Sequence, residues 1–159
     1  IMTQGIEVAN MPPDPEIIFR QWLLDQSSVT AIVGTRVATR LPSEPTLPFV
    51  VITALGNVPT NPGSQVALND ADITIDCFAG RWGADGSKAE PDYATSSNLA
   101  QTIYQALFKV GSSYVTTTGG TKAKIYGFEV TNAPVRIEES EVLVANFNVG
   151  VTMTYRYSE

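Results

Sequence analysis

Polar and apolar positions alternate most cleanly near the C-terminal end of the chain. Phe147, Val149, Val151, Met153, Tyr155 and Tyr157 fall on one side of a two-residue period. Asn146, Asn148, Gly150, Thr152, Thr154 and Arg156 fall on the other. That pattern predicts a strand with one buried face. A second alternation, Ile73, Ile75 and Cys77 against Asp72, Thr74 and Asp76, predicts a strand over 72–78. Residues 49–55 are apolar on both sides, as in a central strand covered on both faces. Residues 36–41 read as a shorter first strand, set apart from it by Pro42, Pro45 and Pro48.

The helical pattern occurs twice. Ile17, Ile18, Trp22 and Leu24 form a stripe behind Asp14, a natural N-cap, and Pro15, which suits the first helical position. This helix is expected to end near Asp25, followed by a short turn over 29–33 that stops at Gly34. From Pro91 onward, Leu99, Ala100, Ile103, Tyr104, Leu107 and Val110 make the stripe of a long helix, ended by Gly111. Residues 113–118 and 122–130 flank Gly119-Gly120, a hairpin signal. Residues 56–68 and 80–90 have no periodicity and read as long loops. The order predicts an α+β fold, a mostly antiparallel sheet with two main helices packed on one face. Residues 1–13 read as an irregular N-terminal arm, and 14–159 as a single domain.

Composition narrows the chemistry. The chain has 159 residues, enough to bury roughly 70% of its unfolded surface without a disulfide or metal. It has no histidine, so the commonest general base and transition-metal ligand are missing. Cys77 is the one cysteine, at an apolar strand position, which predicts a buried, inert thiol and a reducing compartment. Ten basic residues face sixteen acidic ones, a net charge of −6, which argues against a grip on nucleic acid. No apolar run approaches the roughly 20 residues of a membrane span, and the N-terminal residues do not read as a secretory signal. No cofactor is expected, and no enzyme.

Candidate sites are few. Thr118-Gly-Gly-Thr-Lys122 lacks the spacing of a phosphate loop and reads as a hairpin turn. Asp70, Asp72, Thr74 and Asp76 resemble the start of a calcium loop, but Ile75 stands where a glycine is needed and Arg81 where a carboxylate is needed. They read as a polar strand face. Asp85, Glu90 and Asp92 read as solvated carboxylates near a helix start. Glu138, Glu139 and Glu141 read as an acidic turn in water. Arg81 and Trp82, side by side in a glycine-rich stretch, are residue types enriched at binding hot spots, the alternative being a tryptophan folded over the core.

In this order the elements resemble the tail-terminator, or tail-completion, proteins of long-tailed bacteriophages. The resemblance is carried by Asp14-Pro-Glu-Ile-Ile-Phe-Arg-Gln-Trp-Leu23 and Val29-Thr-Ala-Ile-Val-Gly-Thr-Arg-Val37. Leu41-Pro, Leu47-Pro-Phe-Val-Val-Ile52, Asp72-Ile-Thr-Ile-Asp-Cys-Phe78 and the helix over 94–107 continue it. These are patterns of core residues and turns, covering about 14–108. The resemblance implies a structural virion protein, assembled in the host cytoplasm. It implies a homo-oligomeric ring, usually hexameric, at the head-proximal end of the tail tube. Such a ring stops tube polymerisation, meets the tube protein below and the head-completion or connector protein above, and lets DNA pass through its lumen. It carries no catalytic residues.

A ring needs subunit contacts, and the irregular segments are the expected places. Arg81, Trp82, Asn57, Gln65 and Tyr114 are the contact candidates, and the arm is expected to touch a neighbouring subunit or ring. Glu138, Glu139 and Glu141 are lumen candidates, since acidic walls repel phosphate. The rival readings are a head-completion (stopper) or tail-tube ring protein, or a small cytoplasmic binding domain outside any virion.

Overall fold

The computed structural model describes residues 14–42, 46–59, 68–82, 89–109, 111–138 and 144–157. Helix α1, Pro15–Leu24, starts as its sequence dictates: the Asp14 carboxylate accepts the Glu16 N–H at 2.9 Å. Helix α2, Ser27–Val33, stops at Gly34, whose φ of 59° is the left-handed conformation that glycine adopts without strain. Helix α3, Tyr93–Leu107, is capped by Asp92, which accepts the Thr95 N–H at 3.0 Å. Asp92 is thus a cap rather than a ligand, as its place before a helix suggests.

The strands are β1, Val37–Ala38; β2, Phe49–Pro59; β3, Asn69–Trp82; β4, Ala89–Pro91; β5, Ser113–Thr116; β6, Lys122–Ile137; and β7, Ala145–Tyr157. The main sheet runs β1-β2-β3-β7-β6-β5, with β4 paired to the end of β3. The fold is α+β, but two expectations need correction. Three helices are present among the described residues, not two main ones. The sheet is also mixed, because β1 runs parallel to β2. Only Val37 with Val50 and Ala38 with Val51 pair there. The Arg36 side chain holds this short contact in place, its Nε donating to Pro48 O at 2.8 Å while Arg36 O accepts the Val50 N–H.

Two strands also outrun their sequence signals. β2 continues through a bulge between Ala54 and Gly56 to Pro59, so Asn57 lies in a strand opposite Ala71. β3 continues through Gly80, so Arg81 and Trp82 pair with Glu90 and Ala89 rather than standing in a loop. Glycine was the misleading signal: here it sits inside a ladder, opposite Pro91.

One core lies between the helices and one sheet face. Val50, Ile52, Ile73, Ile75, Cys77, Val149, Val151, Met153 and Tyr155 are buried there against Phe19, Trp22, Leu99 and Ile103. Trp22 packs its ring 4.6 Å from that of Phe128 and 5.6 Å from that of Phe19. Ser96, fully buried, donates its hydroxyl to Cys77 O at 2.6 Å and ties α3 to β3. Every inward position of β7 is hydrophobic, so the pleat leaves its other face polar.

Candidate assembly surface

The face turned away from the helices is the distinctive surface. Register places Asp70 opposite Thr154, Asp72 opposite Thr152 and Asp76 opposite Asn148. The hydroxyls of Thr154 and Thr152 donate to Asp70 and Asp72 at 2.6 and 2.7 Å. The amides of Asn148 and Asn146 both donate to Asp76 Oδ1, at 2.9 and 3.3 Å. Each acceptor is a carboxylate, so these are the stronger, charge-assisted kind of hydrogen bond. The carboxylates are spread along one straight strand and each answers its own cross-strand donor. That geometry is a polar ladder, not a calcium loop. Glu129, opposite Thr152 on the other side, adds an exposed carboxylate to the same face.

Gly150 sits in the middle of this ladder, opposite Thr74 and Asn132. A Cβ there would run into Asn132 Oδ1 and come within 2.6 Å of Thr131 Oγ1. The bulge between Val130 and Asn132 brings those side chains over β7, and only a residue without a side chain admits them.

At one end of the face the charge reverses. Tyr114 pairs with Lys124, and Lys124 with Arg156, so all three share the outward side. Lys124 Nζ lies 5.4 Å from the Tyr114 ring centre and 4.9 Å from that of Tyr126. The Arg156 guanidinium is 5.8 Å from the Tyr126 ring, and its Nε is buried without a hydrogen-bond partner. Lys122 stands two residues before Lys124 on the same strand, exposed. Among the described residues no carboxylate pairs with Lys122, Lys124 or Arg156. Tyr114 is 68% exposed.

At the other end of β6, Arg136 stacks on the Tyr93 ring at 3.6 Å and pairs with Glu138 at 2.9 Å. Both partners are largely exposed, so the pair adds little stability. Beside α3's start lies an open groove of about 440 Å³ lined by Leu47, Pro48, Gly80, Pro91, Asp92 and Tyr93 among others. Cys77 is buried at 0% exposure; burial first, then the Asp76 charge, pushes its thiol up, away from nucleophilic use.

Of the contact candidates, Tyr114 is on the surface and joins Lys124, Tyr126 and Arg156. Asn57 lies on β2 and Tyr114 on β5, toward opposite ends of the strand order, so the fold does not bring them together. Arg81 and Trp82 are placed by their backbone at the β3–β4 ladder. Gln65, Glu139 and Glu141 lie outside the described residues, as does Asp85. Glu138 ends β6, exposed and paired with Arg136. Lys124, Tyr126 and Arg156 are the residues that sequence reasoning missed. Their signal was a Lys-x-Lys-x-Tyr run on the polar positions of one strand, opposite Arg156 on another.

A sheet with a hydrogen-bonded polar face, two unlike edges and an inert cysteine defines a structural subunit. The chain belongs to the family Tail completion protein gp17, whose model matches residues 19–107. It is accordingly a structural protein of the virion tail. A chain from the virion of a native gene transfer agent (GTA) particle is similar in fold, at 15% identity and a TM-score of 0.52. That similarity covers 90% of this chain and 92% of the other. No curated protein matches the chain. Among the described residues no helix is long and apolar enough to cross a membrane.

Proposed function

We propose that the protein forms a homo-oligomeric ring, a hexamer, on the head-proximal end of the tail tube. There it ends tube polymerisation and joins the tail to the head-completion or connector protein. Family membership supports the setting, and the unlike edges of the sheet support the ring. Among the described residues, β2 lacks a partner on its β1 side beyond Val51, and β6 lacks one on its β5 side beyond Ile125. Two different edges give each subunit a head and a tail, the requirement for a heterologous contact that closes by rotation.

The edges are also restrained. β6 carries register shifts between Ile125 and Gly127, Val130 and Asn132, and Asn132 and Val135, with Pro134 inside the last. Bulges and proline are the devices that keep an edge from pairing indiscriminately. A protein that must stop a polymer needs such restraint. Asn57 and Gln65 would serve the β2 side of the contact, Tyr114 the β5 side, and Arg81 and Trp82 the β3–β4 corner. The N-terminal arm would reach a neighbouring subunit or ring.

The polar face, with Asp70, Asp72, Asp76 and Glu129, would form the channel wall, bordered by the turn that holds Glu138, Glu139 and Glu141. Fixed carboxylates repel phosphate and let DNA slide without sequence preference. The test of termination is a growth assay. Added to assembling tail-tube protein of the same phage, the protein should cap the tubes and arrest their lengthening. Tubes that grow on unchanged would refute termination. Co-polymerisation along the tube would favour a tube subunit instead.

A further inference from the structure

Lys122, Lys124 and Arg156 make a cationic corner on a chain whose net charge is −6. Two tyrosines frame it, and no described carboxylate answers it. A desolvated guanidinium Nε without a partner is costly, so the corner is built for an anionic group to complete. The chain supplies such a group in the turn after β6, where Glu138, Glu139 and Glu141 follow one another within four residues. Yet Lys124 and Glu138 lie at opposite ends of β6, which spans Lys122–Ile137. At about 3.3 Å per residue the separation is on the order of 40 Å. One chain cannot close that gap on itself.

We infer that the acidic turn of one copy seats on the Lys124–Arg156 corner of a second copy. The inference rests on the ring reading and specifies one of its contacts. The occupant is a second copy because the two surfaces are complementary in charge and sit on opposite ends of the same strand. A contact between opposite ends is head-to-tail by construction. Tyr114 and Tyr126 hold the Lys124 ammonium by their ring faces, leaving its hydrogen-bond donors for the incoming carboxylates. Nucleic acid is the less suitable occupant, since the acidic ladder beside the corner repels a long polyanion but not a short turn.

Charge-swapped variants test this. One carries Lys122→Glu and Lys124→Glu; the other carries Glu138→Lys, Glu139→Lys and Glu141→Lys. The first leaves the partly buried Arg156 in place, and melting of dilute protein checks that both fold. Each variant alone should associate at least about tenfold more weakly than wild type, because like charges then face each other. Mixed in equal amounts, they should assemble again, in particles where the two kinds alternate. Native mass spectrometry reads that alternation directly. Single variants that assemble as wild type does, or a mixture that stays apart, would overturn the inference while leaving the ring itself intact. Wild-type protein that never associates would instead remove the ring reading beneath it. Retention of a short duplex DNA by wild type, lost in the lysine-substituted corner while self-association persists, would reassign the corner to nucleic acid.

Discussion

Gly150→Ala adds a single methyl group, and the structure says where it goes. The glycine is not in the left-handed region, which among the described glycines is used only by Gly34, Gly111 and Gly120. Alanine therefore fits the backbone, and the cost is steric. The new Cβ meets Asn132 Oδ1, Thr131 Oγ1 at 2.6 Å and Asn132 Cγ at 3.1 Å. Overpacking of this sort costs about 1–3 kcal/mol. The alternative is for Asn132 to swing out, losing its amide contacts with Asn148 Oδ1 at 3.3 Å and Ala133 O at 3.2 Å. Those bonds are long, so each is worth the lower end of about 0.5–1.5 kcal/mol. Replacing glycine returns about 0.4–1 kcal/mol by stiffening the unfolded chain. The net destabilisation is about 1–2 kcal/mol, a fall in Tm of about 2–8 °C for a domain of this size. Thermal unfolding at concentrations below assembly measures it. Repeating the substitution in an Asn132→Ala background should recover at least about 0.5 kcal/mol, since the obstacle is gone. An alanine variant as stable as wild type, or an equal loss in both backgrounds, would refute the argument.

Three further outcomes are expected. Trp82→Ala should cost about 2 kcal/mol or more per subunit contact and lower ring yield, with the monomer's Tm little changed; intact assembly would remove Trp82 from the interface. Deleting residues 2–10 should weaken association in sedimentation without altering monomer unfolding, and unaltered sedimentation would leave the arm without a role in the ring. Cys77 should react with iodoacetamide in native protein only as fast as the domain opens, and raising the pH to about 9 should barely change that rate, because burial and the Asp76 charge hold its pKa above the usual thiol value. Rapid labelling of folded protein would contradict the buried placement.

Much of the fold could be read where one local rule decided the outcome. The alternation of β7 and of Ile73, Ile75 and Cys77 named the buried face because each inward residue is hydrophobic and each outward one polar. Asp14-Pro15 located the start of α1 because the cap and the proline act within one turn. Reading failed where the outcome depended on a distant partner. Nothing near Val37 says that it will lie parallel to Val50, since direction is set by the Arg36–Pro48 contact. Arg81 and Trp82 were read as loop residues because Gly80 precedes them and the strand that pairs with them, Ala89–Pro91, has three residues and little strand propensity. The cationic corner needs the register of three strands at once. A bulge between Ile125 and Gly127 shifts that register, so no sequence period marks the meeting of Tyr114, Lys124, Tyr126 and Arg156.

The central claim is that a protein of the Tail completion protein gp17 family, carrying these two unlike sheet edges, closes on itself and then stops. The most direct measurement is the mass of the purified chain by light scattering, paired with negative-stain images of the same sample. A single species near six times 17.1 kDa, seen as isolated rings with a central opening, is the predicted result. A protein that remains monomeric at every concentration, or one that grows into long tubes, would contradict it.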